Sequence, residues 1–120
     1  SVEAAVQAVL AASGGRIDAV INNAGYGGIG LGEAFAPAQL ADMLNINVVG
    51  PQRVNRAVLP AMRSRGSGLL VHISSGIGRL VMPTMGVYCA TKFALEALAE
   101  AYAYELAPLG IDAVIVQPGA

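Results

Sequence analysis

Gly68-Leu69-Leu70-Val71-His72-Ile73-Ser74-Ser75 is the stretch whose reading decides the fold. A nearly unbroken apolar run ends abruptly in two serines. Such a run, without polar alternation, marks a strand of a buried parallel sheet. Two similar runs flank it. Ile17-Asp18-Ala19-Val20-Ile21 leads into Asn22-Asn23-Ala24-Gly25, and Ile111-Asp112-Ala113-Val114-Ile115-Val116 leads into Gln117-Pro118-Gly119.

Helical segments separate the strands. Ser1 can cap a first helix with an apolar face of Val2, Val6, Val9 and Leu10, stopped by Gly14-Gly15. A glycine-rich loop runs to about Ala36. Pro37 then suits the first turn of a second helix reaching about Arg63, with an interruption expected at Gly50-Pro51. After a loop from Gly76 to Gly86, a third helix spans about Val87 to Ala107. One of its stripes is Leu95, Leu98, Tyr102 and Leu106; another is Ala90, Ala94, Ala97 and Ala101, small enough for close backbone approach. Alternating helix and strand predict an α/β chain of βαβ units, with a parallel sheet covered on both faces. In such sheets ligands bind beyond the carboxyl ends of the strands. Every candidate polar cluster lies at one of those ends.

Composition narrows the function classes. At 120 residues one domain is expected, and 55% hydrophobic against 12% charged residues is too apolar for disorder. No apolar run approaches a membrane span, and no secretory leader pattern opens the chain. A net charge of −1 without a basic patch argues against nucleic acid as partner. The lone Cys89 has no internal disulfide partner, which fits a reducing, cytoplasmic setting and a structural role.

Tyr88-Cys89-Ala90-Thr91-Lys92 contains the only lysine of the chain. Residues four apart share a helical face, so the ammonium can sit beside the phenol of Tyr88. A nearby cation favours phenolate over the free phenol, whose pKa is about 10. A tyrosine tuned in that way can exchange a proton with an alcohol or carbonyl near neutral pH.

Together with Asn22-Asn23-Ala24-Gly25, Asn47 in Asn45-Ile46-Asn47-Val48-Val49-Gly50, Ser75 and Pro118-Gly119, this pair resembles the classical short-chain dehydrogenase/reductase family. The thirteen-residue step from Ser75 to Tyr88 is similar to the family's serine-to-tyrosine interval. The resemblance covers essentially the whole chain. It implies a Rossmann-like, doubly wound parallel sheet, here a partial domain over 1–120 with three parallel strands and three main helices.

What the resemblance implies for chemistry is specific. Tyr88 is the expected acid/base. Lys92 is expected to lower the tyrosine pKa and bind the ribose hydroxyls beside the nicotinamide, and Ser75 to hold the substrate oxygen. Asn47 matches the asparagine whose main chain holds a water of the proton relay. Asn22, Ala24 and Gly25 match the motif that borders the cofactor and braces the sheet, and Pro118-Gly119 the turn that meets the nicotinamide. Thr91 stands where serine is commonest and keeps a hydroxyl. The implied activity is hydride transfer between NAD or NADP and an alcohol or ketone. The apolar loop of Ile77, Leu80, Val81 and Met82 favours a hydrophobic substrate. Association as a homodimer or homotetramer through the second and third helices is also expected.

Several features carry less. Gly25-Tyr26-Gly27-Gly28-Ile29-Gly30 fits G-x-G-x-x-G, but that fingerprint must open a helix at once, and here Leu31 to Ala36 intervene. The expectation is a flexible rim loop. The family's phosphate-binding Thr-Gly-x-x-x-Gly-x-Gly does not occur in these residues, so the expectation is a central-to-C-terminal segment of the catalytic domain. A non-catalytic fragment or binding module is the alternative from another class; an epimerase or dehydratase relative fits less well. His72 reads as a hydrogen-bonded core residue, with no second metal ligand at suitable spacing. Glu96 and Glu100 read as a solvated helical face.

Overall fold

Two consecutive right-handed crossovers place every helix on the same side of the sheet. The computed structural model describes residues 1–119. Helix α1 (Val2–Ala12) leads to β1 (Ala19–Asn22); α2 (Pro37–Leu44) and α3 (Gly50–Arg65) lead to β2 (Gly68–Ile73); α4 (Gly86–Leu106) leads to β3 (Ile111–Val116). The strands lie in the order β1-β2-β3, all parallel. Ile21 pairs with Val71 and Val71 with Val114; Asn22 pairs with His72 and His72 with Ile115.

Strand alternation sorts the side chains into two sets. Leu70, His72 and Ile111 face the helices and are fully buried. With Val6, Ala57, Val58, Leu59, Met62, Tyr102 and Leu106 of the helices, Leu70 and Ile111 form the core. The opposite face stays open: Ile21 is 66% exposed, Val114 42% and Val116 43%. The expectation of a sheet covered on both faces is therefore corrected for the described residues. The reason is topological. Strands added in one direction by right-handed crossovers put all their helices on one side.

Three local readings also change. Ser1 does cap α1, its Oγ accepting from the Ala4 amide at 3.2 Å, but Val9 is 52% exposed and lies off the apolar face. β1 begins two residues later than read, although the Asp18 carbonyl still accepts from the Leu69 amide at 3.1 Å. The break in the second helix is not a kink at Gly50-Pro51. It is a wide π-helical turn over Asn45–Val49, closed by the Gly50 amide donating to the Asn45 carbonyl. Pro51 lies in the first turn of α3, where its missing N–H costs least. The break lies one turn earlier, in a π-bulge of the kind common at functional sites. Among the described residues, no helix is long and apolar enough to cross a membrane.

Candidate active site

Beyond the carboxyl ends of β1 and β2, the π-helical turn and the first turns of α4 meet. Asn47 projects from that turn, 1% exposed, and its side chain grips the loop after β1 at both backbone polarities. Its Oδ1 accepts from the Tyr26 amide at 2.9 Å, and its Nδ2 donates to the Tyr26 carbonyl at 2.7 Å. The same Nδ2 donates to Thr91 Oγ1 at 3.0 Å, which donates to the Tyr88 carbonyl at 2.7 Å. Thr91 thus links Asn47 to the turn of α4 that carries Tyr88. Its hydroxyl does more than fill the place of a serine.

Lys92 is 4% exposed. Its Nζ donates to the Ile73 carbonyl at 3.1 Å and lies 5.7 Å from the centroid of the Tyr88 ring. Burial lowers the lysine pKa, and the nearby Glu96 carboxylate partly restores it. Gly25 closes the space above: a Cβ there would lie 3.0 Å from Asn47 Oδ1 and 3.5 Å from Lys92 Nζ. Gly27 does the same against the half-buried Tyr88, where a Cβ would lie 2.8 Å from Cδ1 of the ring. The loop from Gly25 to Gly30 is therefore pinned rather than free, held by Asn47, packed on Tyr88 and tied by the Gly30 amide to the Thr84 carbonyl at 2.8 Å.

Ser75 follows β2 in extended conformation, its Oγ accepting from the Ile77 amide at 3.3 Å. The Gly76 amide donates to the Pro118 carbonyl at 2.9 Å, which brings the exposed Pro118-Gly119 segment beside the serine loop. Ala24, exposed, lines a cleft of about 320 Å³ with Ile21, Asn22, Asn23, Ile46 and Val54. Asn22 turns inward instead: its Nδ2 donates to Asn55 Oδ1 at 2.9 Å, and Asn55 Nδ2 lies 2.9 Å from His72 Nε2. His72 is, as read, a hydrogen-bonded core residue, although its Nδ1 has no partner. Its ring lies nearly parallel to that of Tyr102, centroids 6.4 Å apart. Asn55 escaped the sequence reading because nothing in a helical asparagine signals a partner on a neighbouring strand.

Glu96 overturns one expectation. It is 2% exposed rather than solvated, and it accepts from Ser74, Arg79 and Gln117; Glu100 alone stays at the surface. The signal was present in the i, i+4 step from Lys92 to Glu96, which places both on the face that meets the strand ends. Cys89, 2% exposed, belongs to the packing of α4.

The family profile described as short chain dehydrogenase matches residues 1–120 from end to end. The chain belongs to the short-chain dehydrogenase family. Human 17-beta-hydroxysteroid dehydrogenase type 1 is 42% identical over 105 residues, 88% of this chain and 32% of that protein. A short-chain dehydrogenase from Streptomyces avermitilis superposes with a TM-score of 0.95 at 45% identity, over 99% of this chain and 44% of the other. An NAD+-bound xylitol dehydrogenase gives a TM-score of 0.92 at 34% identity, over 98% of this chain and 45% of its own. The chain thus spans less than half the length of these short-chain dehydrogenases.

Proposed function

We propose that this chain carries the catalytic centre of an NAD(P)-dependent oxidoreductase acting on an alcohol or ketone. The observation that carries the reading is the convergence of Gly25, Asn47, Tyr88 and Lys92 over the ends of β1 and β2, with Ser75 on the adjoining loop. Kinship to an NAD+-bound dehydrogenase supports the cofactor class. The residues present fit that group at its nicotinamide end. A lysine ammonium has three donors, and the Ile73 carbonyl engages one, leaving two for the vicinal hydroxyls of a ribose.

The bound dinucleotide supplies or accepts a hydride at the carbinol carbon. The protein does the rest. The Tyr88 hydroxyl gives its proton to the carbonyl oxygen during reduction and takes it back during oxidation. Ser75 Oγ holds the same oxygen. The Lys92 cation favours the phenolate when the proton has left. Asn47 serves twice. Its side chain fixes the loop over Tyr88, while its carbonyl has Pro51, which carries no N–H, at i+4. We assign that carbonyl to an ordered water on a proton path to Lys92.

The side chains of Leu80, Val81 and Met82 stand exposed on the loop after Ser75, which favours an apolar substrate. The name of the human relative, a hydroxysteroid dehydrogenase, points the same way. We read the 120 residues as a segment of a longer catalytic domain, on the share of its relatives that it spans.

Tyr88→Phe tests the reading. It removes one oxygen and keeps the ring against Gly27. The expected outcome is a fall in kcat of about 10²–10⁴, with cofactor affinity unchanged when titrated by nicotinamide fluorescence. A variant turning over at the parent rate would remove Tyr88 from the mechanism.

A further inference from the structure

Glu96 holds a carboxylate in the protein interior, and burying an ion is unfavourable unless it is paired and fully hydrogen-bonded. Here the partners come from three separate segments. Oε2 accepts from Ser74 Oγ at 3.0 Å, and Oε1 accepts from Arg79 Nε at 3.1 Å and from Gln117 Nε2 at 2.5 Å. Arg79 also reaches Glu100 at 3.4 Å, which turns its guanidinium along α4. Ser74 precedes Ser75, Gln117 precedes Pro118, and Arg79 ends the turn that follows Ser75. One helical turn earlier, Lys92 holds the carbonyl of Ile73. Two successive residues at the end of β2 are thus tied to two successive turns of α4.

The loop is shaped to this carboxylate. A Cβ on Gly78 would overlap Oε2 of Glu96 and come within 2.5 Å of Ser74 Oγ. Only glycine lets the chain pass there.

We propose that Glu96 is a positioning residue whose buried carboxylate fixes the Ser75 loop and the Pro118-Gly119 segment relative to the helix bearing Tyr88 and Lys92. The proposal rests on the roles given above to Ser75, Tyr88 and Lys92. Distances between a proton donor and a substrate-holding hydroxyl matter because a misplacement of about 1 Å can cost about 10²-fold in rate.

The test compares Glu96→Ala, Glu96→Gln and Tyr88→Phe in the full-length protein. Amide hydrogen exchange is followed at Ser74, Gly76, Ile77 and Gly78, and kcat and KM are measured with 2-octanol and NAD or NADP. Glu96→Ala should speed exchange at these amides at least tenfold over the rest of the sheet. It should lower kcat at least tenfold with KM within twofold. Glu96→Gln should restore both to within threefold, since its amide can accept from Arg79 and Gln117 and donate to Ser74. Parent-like local exchange in Glu96→Ala, or exchange raised equally throughout the fold, would overturn the proposal. If Glu96→Ala does not fold, Gly78→Ala disturbs the same contact, and parent-like exchange and kcat in that variant would overturn it too. Parent-like turnover in Tyr88→Phe, or no turnover of 2-octanol by the parent, counts against the reading of the site; local exchange then judges the clamp by itself.

Discussion

Tyr88 and Lys92 stand out in the sequence because a lone lysine four residues after a tyrosine has a chemical meaning. The contacts that aim them do not stand out. Asn47, Thr91 and Glu96 are tied by hydrogen bonds to residues on other elements 17 to 44 positions away. A spacing rule along one helix cannot foresee partners on another element. Gly27 is the sharpest case. In the sequence it is one glycine of a misleading G-x-G-x-x-G; in the fold its bare Cα is the floor under the Tyr88 ring. Gly27→Ala should push that ring or the loop aside. Overpacking of this kind costs about 1–3 kcal/mol of stability, but the larger effect is expected on kcat, a fall of about tenfold or more. Steady-state kinetics beside a thermal melt would separate the two, and an unchanged kcat would show that the ring is free to yield.

At the scale of elements, the boundaries of β2 and β3 and nearly all of α4 were legible, because apolar runs and turn residues bracket them. The helix break was placed too late. Proline marks where a donor is missing, whereas the π turn forms one turn earlier, where the chain can widen. The sheet faces were misread for a different reason. Apolar runs such as Leu69-Leu70-Val71 and Val114-Ile115-Val116 record that both faces prefer cover, and not which residues provide it. The buried chain Asn22–Asn55–His72 joins β1, α3 and β2 and makes a prediction about acid stability. Burial lowers the His72 pKa below its ordinary 6.5, with the Val114 backbone opposing. A base whose folded pKa is depressed contributes stability that is present above pH 6.5 and lost as pH falls toward the folded value. Urea unfolding between pH 8 and 5 should therefore show a steeper loss in the parent than in His72→Gln. The difference in slope should not exceed about 1.4 kcal/mol per pH unit. Parallel curves would mean that another group governs the loss.

For the molecule as a whole, cofactor affinity and association follow from what the 120 residues contain. Pyrophosphate binding in this fold class normally uses backbone N–H groups at the start of a helix after a glycine-rich turn. The one glycine-rich loop here packs on Tyr88 and Phe35 instead of opening a helix. The isolated chain should bind NAD and NADP no tighter than about 1 mM, since each 1.4 kcal/mol forgone is about tenfold in affinity. Isothermal titration yielding a micromolar constant would show that the nicotinamide end suffices. Association is expected through α3 and α4, where Ala90, Ala97 and Ala101 leave an exposed stripe of small residues on which a second copy can pack closely. Sedimentation of the full-length protein at micromolar concentration should give a dimer or tetramer, and a clean monomer would count against that surface.

The parallel register also has a meaning for time. Ala19 meets Leu69, fifty residues on, and Gly68 meets Ile111, forty-three residues on. No strand can find its neighbour until an entire helical crossover has closed, and the entropy of that closure is spent before pairing returns anything. The helices can form early and locally, but the rim that holds Asn47, Ser75, Tyr88 and Glu96 exists only when both closures are complete. The geometry of this rim is accordingly a late event in folding, and changes within it should register in how fast the native state is lost more than in how fast it is reached.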